Sequence, residues 1–215
     1  MKLISVNVGL PREIAWNDGR VTTGIFKQPV QGPIRVQRLN VVGDQQADLS
    51  VHGGPDKAVY AYPVEHYAYW RPELPDRELT WGNFGENLTT EGLQESLVHI
   101  GDRFRIGTVE LVVTQPRLPC YKLGIRFERP DMVKRFLSSR RTGFYFAVAQ
   151  EGTLRAGDPI DVVSRQANSL TVADITRLYA FDRGDHEALQ QAVELEALPE
   201  SWRSYFADQL HRIAP

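Results

Sequence analysis

Apolar and polar residues alternate at several places in the first three quarters of the chain. Ile4, Val6 and Val8 alternate with Ser5 and Asn7, and Val109, Leu111 and Val113 repeat the pattern. A period of two predicts strands half-buried in a sheet. The run Phe144-Tyr145-Phe146-Ala147-Val148 is aromatic and β-branched and predicts another. Turn signals separate these runs: Asn17-Asp18-Gly19, Gly32-Pro33, Gly53-Gly54-Pro55, Gly107 and Glu151-Gly152. Many short strands with frequent turns predict a mainly β fold, a closed or nearly closed β-barrel. Pro63 suits a first helical position, and Val64 to Trp70 follow it without a breaker, so a helix interrupts the strands there. A second helix is expected over Asp131 to Ser138.

The period changes near residue 168. Thr171 can cap a helix carrying Val172, Ile175, Leu178 and Tyr179 at helical spacing. Asp185 can cap a second, with Leu189, Ala192 and Val193, and Glu200 to Ile213 forms a third with Trp202, Tyr205, Phe206, Leu210 and Ile213. The chain thus divides into a β-barrel domain over 1–167 and a three-helix module over 168–215. Three short helices invite a DNA-binding reading, but charge opposes it. Residues 169–215 hold four Arg, no Lys and eight Asp or Glu, and a phosphate-binding surface should be basic. No nucleic-acid partner is expected.

Composition narrows the class further. The 215 residues are 42% hydrophobic and 24% charged, with net charge -2. These are ordinary values for a globular protein. Cys120 is the only cysteine, which excludes an intrachain disulfide, a Cys-rich zinc site and an iron–sulfur cluster held by this chain alone. No run reaches the roughly 18 apolar residues that span a bilayer. The apolar patch at the N-terminus is too short for a signal peptide. The expectation is a cytoplasmic protein without a membrane partner, and Asn87-Leu88-Thr89 is then not a glycan acceptor.

The fingerprints for dinucleotides, P-loops, zincins and α/β-hydrolases are absent from the sequence. Four other segments carry chemistry. In Gln115-Pro116-Arg117-Leu118-Pro119-Cys120-Tyr121-Lys122-Leu123, two prolines restrict the backbone before a thiol flanked by Arg117 and Lys122. Positive neighbours favour thiolate, the form that acts as nucleophile and metal ligand. Residues 117–141 hold eight basic and two acidic residues, which suggests an anionic ligand; the bland alternative is a cysteine buried in a core. In the segment from Asp48 to Val59, Gly53 and Gly54 can aim amides at an anion, with His52 and Lys57 bracketing the turn. Asp48 and Asp56 there suit orienting the turn. Asn87, in a glycine-punctuated loop, offers a donor and an acceptor to a heterocycle edge. Thr23 and Lys27, around Gly24, can hold a phosphate; the alternative is a plain edge strand ending at Pro29. A soft metal ligand, phosphate-type donors and amide-type groups together fit a large anionic cofactor with a thiolate-bound metal.

The segments GIFKQPV (24–30), GDQQADLSVHGGPDKAVYAY (43–62), EHYAYW (65–70), FGENLT (84–89), IGDRFRIG (100–107) and QPRLPCYKL (115–123) resemble the MOSC-domain family, in the stand-alone bacterial YiiM type. The helical tail resembles the three-helix module of that type. The resemblance implies a MOSC-type β-barrel with a molybdenum cofactor of the molybdopterin type in a cleft, and Cys120 as the ligand to molybdenum. It implies Thr23, Lys27, His52, Lys57 and Arg117 around the cofactor's phosphate and pterin, with Asn87 bonding the pterin or a polar group of the substrate. When the cofactor is lacking, the cleft is expected to be empty or to hold phosphate or sulfate. The implied activity is reduction of N-hydroxylated compounds such as hydroxylaminopurines and amidoximes. With no flavin or haem fingerprint and one cysteine, the chain would take electrons from a separate flavoprotein or iron–sulfur protein, and the acidic tail is one possible docking surface. A second function remains open on the residues: a cofactor or sulfur carrier using Cys120 without turnover.

Overall fold

The computed structural model describes residues 1–17, 19–48, 53–166 and 169–213. Its strands are β1 (Lys2–Val8), β2 (Arg12–Trp16), β3 (Gly19–Thr23), β4 (Gln28–Val30), β5 (Ile34–Gln37), β6 (Asn40–Val41), β7 (Val59–Pro63), β8 (Leu88–Glu91), β9 (Arg103–Ile106), β10 (Val109–Pro116), β11 (Phe144–Gln150), β12 (Gly152–Leu154) and β13 (Ile160–Ser164). The helices are α1 (Val64–Glu73), α2 (Tyr121–Phe127), α3 (Met132–Ser138), α4 (Val172–Ala180), α5 (His186–Glu194) and α6 (Glu200–Ile213). A single 3-10 turn spans Pro55–Lys57. No described helix is long and apolar enough to cross a membrane.

The chain is mainly β, as its alternation predicts. Eight strands form one sheet in the order β13-β9-β10-β11-β7-β8-β1-β4. The sheet rolls but does not close into a ring of paired strands among the described residues. The segment leading into β13 meets the start of β1 at one corner. There Leu3 N donates to Asp158 O (2.9 Å), Gly157 N to Leu3 O (2.7 Å) and Ile160 N to Met1 O (3.1 Å). The contact reaches Ile160, the first residue of β13, but among the described residues it is an isolated bridge at Lys2 and Pro159 and not a ladder. Pro29 lies in β4, the edge strand, where a missing amide leaves no ladder bond broken.

The pleat of β7 feeds two cores. Val59 and Ala61 join a large cluster inside the rolled sheet with Leu111, Val113, Phe144 and Phe146. Tyr60 and Tyr62 point the other way, into an aromatic cluster with Tyr67, Trp70, Phe84 and Phe136. There Tyr62 and Phe136 rings stack at 5.8 Å and Trp70 and Phe136 at 5.9 Å. The C-terminal helices extend the first core rather than standing apart: Val172, Ile175, Leu178, Leu189, Trp202 and Phe206 belong to the same buried cluster as Phe104 and Val113. Thr171 caps α4 through a reciprocal capping box with Asp174, and Asp185 caps α5 through Ala188 N. Pro63 is not the first helical residue; it is the extended residue before α1. Asp131 stands likewise just before α3. The helix α2, directly after Cys120, is additional to the sequence pattern.

Candidate functional site

Tyr145 on β11 and Tyr60 on β7 are register partners, and their rings lie 5.3 Å apart on the face away from the large core. They form one wall of a solvent-open cleft with a cavity volume of about 100 Å³. The 24–27 segment after β3, residues 45–47, the 3-10 turn and the start of α2 complete it. Thr23, Lys27, Lys57, Asn87, Arg117 and Cys120, six residues singled out in the sequence, all line this cleft. His52 lies outside the described residues. Tyr60 and Tyr145 were not singled out in the sequence; the alternation of β7 and β11 is the signal that could have found them, because their neighbours Val59, Ala61, Phe144 and Phe146 fill the opposite face.

Close backbone approaches shape the cleft. A Cβ on Gly24 would stand 2.4 Å from Gln45 O, so this loop crosses the 45–47 segment only without a side chain. Gly143 has φ +65, and a Cβ there would stand 2.4 Å from Ala61 O. Its carbonyl accepts Arg117 N (3.1 Å), which fixes the strand end just before Cys120.

The charged residues lining the cleft, among those described, are Lys27, Lys57, Arg117 and Lys122, with no carboxylate. They are not equivalent. Lys27 is buried and its ammonium donates to Asp44. Asp44 also accepts Gly9 N (2.9 Å) and Asn87 Nδ2 (2.9 Å). Burial pulls the Lys27 pKa below the ordinary lysine value, with Asp44 working against it. The charge of Lys27 is thus balanced inside the fold. Asp44 was not picked out in the sequence, where nothing marks it as the acceptor of groups so far away in the chain.

Asn87 is 3% exposed. Its side-chain oxygen accepts Tyr60 N (3.1 Å), and its amide reaches Asp44 and Asn7 O. The Thr23 hydroxyl accepts Ile25 N (3.2 Å). Both residues thus spend these groups on holding the cleft floor. Beneath them, buried Glu86 accepts Tyr67 OH, Gly82 N (2.8 Å), Thr89 OH (3.0 Å) and Phe84 N (3.1 Å). Burial raises its pKa, and these donors oppose the rise.

Arg117 is different again. It is 6% exposed, and its guanidinium lies over the rings of Tyr60 (4.9 Å) and Phe136 (5.3 Å). Its Nη1 is buried with no hydrogen-bond partner among the described residues. Burial disfavours the charge, but the neighbouring Tyr60 and Tyr145 oxygens and Cys120 favour it, and the guanidinium pKa lies above its ordinary value. Burial raises both tyrosine pKa values, so these phenols stay protonated at neutral pH. Cys120 is half-buried at the residue before α2, between Arg117 and Lys122. The arrangement is a thiol on the wall of a cationic cleft whose deepest cation faces aromatic rings. A buried guanidinium nitrogen without a partner is costly unless an acceptor arrives.

The MOSC domain family model matches residues 48–161, and the YiiM-like, 3-alpha helix domain model matches residues 170–212. The protein YflK of Bacillus subtilis is 39% identical over 99% of this chain and 96% of its own length. A protein of Gibberella moniliformis named reductase is 35% identical over 84% of this chain, which spans 32% of that longer protein. The crystal structure of YiiM from Geobacillus stearothermophilus superposes with a TM-score of 0.82 at 37% identity, covering 97% of this chain and 98% of that one. The chain belongs to the MOSC-domain family, in the form that carries a YiiM-like three-helix domain.

Proposed function

We propose that this protein is a molybdenum-cofactor-dependent oxidoreductase that reduces N-hydroxylated compounds to amines or amidines, with electrons from a separate redox protein. The observation that carries the reading is the cleft's chemistry. Its only charged lining among the described residues is cationic, a thiol stands on its wall, and a buried Arg117 nitrogen lacks an acceptor. The 35% identity to a protein named reductase supports oxidoreductase chemistry within this family.

The residues fit an anionic pterin cofactor with a soft-ligand metal. Cys120 Sγ would hold the molybdenum. Arg117, Lys57 and Lys122 would meet the cofactor's phosphate and the polar edge of its pterin. Thr23, Lys27 and Asn87 form the floor against which it rests. When bound, the cofactor supplies oxygen-atom acceptance and the two-electron change. The chain's own work is positional. Arg117 stays charged and is oriented by the Tyr60 and Phe136 rings, so it presents donors without reorganisation. The phenols of Tyr60 and Tyr145 remain protonated; Tyr60 OH donates to Thr142 O (2.7 Å), which fixes that wall.

The test is bound molybdenum per chain, measured by elemental mass spectrometry on protein from a host rich in the cofactor, with Cys120→Ala purified in parallel. Near-stoichiometric metal in the wild type and none in the variant is expected. Turnover of an N-hydroxylated purine with a chemical reductant should follow the metal. No metal in either protein, beside a known molybdenum protein loaded in the same host, would sink the proposal. A gain of one sulfur at Cys120 without metal would instead identify a sulfur carrier.

A further inference from the structure

We propose that the C-terminal three-helix module is a brace for the cleft, acting through two hydrogen-bond relays that end at Lys57 and Arg117 and are buried at their Trp202–Gln115 and Glu95–Gly143 links. Trp202 and Gln115 are positioning residues in the first relay, and Glu95 in the second. The consequence for cofactor retention rests on the reading given under Proposed function; the brace itself does not.

The first relay starts on α6. Trp202 is 8% exposed and packs on Tyr179 (5.2 Å) and Phe206 (5.8 Å). Its indole Nε1 donates to Gln115 Oε1 on β10. The other end of that amide, Gln115 Nε2, donates to Asp56 O (3.2 Å). Fixing the amide oxygen on the indole therefore fixes which way its N–H groups point. Asp56 O and Lys57 N belong to one planar peptide unit. That unit is clamped at both ends: its oxygen takes Gln115 and the Thr114 hydroxyl (2.7 Å), and its N–H donates to Gly54 O (3.1 Å). The clamp sets the backbone from which Lys57 enters the cleft.

The second relay starts on α4. Ala173 N donates to Glu95 O (3.0 Å). Glu95 is 4% exposed; its Oε1 accepts Gly143 N (2.7 Å) and its Oε2 is bonded to His66 Nε2 (2.7 Å). Gly143 O in turn accepts Arg117 N. Two cations of the cleft are thus tied by separate routes to the same module. A module that merely docked a partner would have no need of buried polar links into the cleft wall, because each link must be satisfied at the cost of desolvation.

The experiment compares wild type, Trp202→Phe, Gln115→Met and the double variant by hydrogen exchange, with the full chain throughout. Phe keeps the stack and removes the donor; Met keeps the volume and removes both relay bonds. The expected result is about tenfold faster exchange of the Lys57 amide in each single variant, the scale of one hydrogen bond. The double variant should show no further acceleration, since one relay is being cut twice. Unchanged exchange in the single variants, or multiplying effects in the double, overturns the brace. Bound molybdenum should fall by a similar factor in Gln115→Met while α4–α6 keep wild-type protection. Unchanged molybdenum beside a loosened turn overturns the positioning role. A wild type without molybdenum, but with the coupled exchange intact, sinks the cofactor reading and leaves the brace standing.

Discussion

Asp44→Asn should be among the most damaging single changes near the cleft, although Asp44 is not expected to touch any ligand. The side chains of Lys27 and Asp44 are 9% and 1% exposed. Removing the carboxylate charge leaves a buried ammonium without its bonded counter-charge, Glu86 being the remaining carboxylate that acts on it, and breaking such a pair costs about 3–5 kcal/mol. The amide of the variant would also keep one acceptor oxygen for three donors, from Gly9, Lys27 and Asn87. At about 2–4 °C per kcal/mol for a chain of this size, the melting temperature should fall by roughly 6–20 °C. Linkage adds a second signature. Burial places the folded Lys27 pKa below its unfolded value, so the unfolded chain binds more protons between that lowered value and about 10.4. Unfolding free energy therefore rises with pH across that window. Without Asp44, which opposes the lowering, the window opens at lower pH and the rise is larger. Urea unfolding at neutral pH and at about pH 9 should show Asp44→Asn regaining part of its loss at the higher pH. Adding Lys27→Met to Asp44→Asn should restore stability relative to Asp44→Asn alone, because the unpaired charge is gone. A single variant melting with the wild type, or a double variant no better than the single, would refute the reasoning.

The remaining predictions are shorter. Cys120→Ala should abolish molybdenum retention while melting near wild type, because the thiol is half-buried at a cleft wall and outside both cores; a large loss of stability would make it a core residue. Arg117→Lys keeps the charge but loses the planar stack on Tyr60 and Phe136; cofactor retention should drop, and the loss caused by Lys57→Ala relative to the wild type should be larger at low salt than at high, because salt screens the contact it removes, both read as metal per chain after gel filtration. Glu86 has its folded pKa raised by burial, so the stability it contributes is full below the unfolded value near 4.3 and is lost as pH rises through the folded value; urea midpoints between acid and neutral pH should show that fall, and Glu86→Gln should flatten it. Thr171→Ala breaks the α4 capping box and should cost about 1 kcal/mol in urea unfolding.

The sequence disclosed what depends on local chemistry. The alternation of β1, β10 and β11 and the caps at Thr171 and Asp185 are signals written in neighbouring residues. Cys120 stood out because prolines and cations flank it within a few positions. The helix α2 stayed hidden because it is seven residues long, holds Gly124, and ends on Glu128 in the left-handed region at φ 51. None of these features favours a helix, so packing must decide it. Sheet closure was also beyond local reading. Alternation counts strands, but it does not say that β1 and the 157–160 segment meet at one corner without forming a ladder.

The cleft's cations make the same point about function. In the sequence Lys27, Lys57 and Arg117 are three similar donors. The fold separates them by the company each keeps. Lys27 meets Asp44, which lies 17 residues on and also gathers groups from 35 and 43 residues away, so its charge is spent on holding the floor. Arg117 meets aromatic rings and a thiol, with a nitrogen left over. A count of basic residues would rank the two equally as anion ligands. Desolvation does not. A guanidinium nitrogen kept dry and unbonded gains more from an arriving acceptor than an ammonium that already has a carboxylate. Within this cleft the anion-binding energy should therefore concentrate on Arg117, and the distribution of partners, rather than of charges, decides where an anionic cofactor is held.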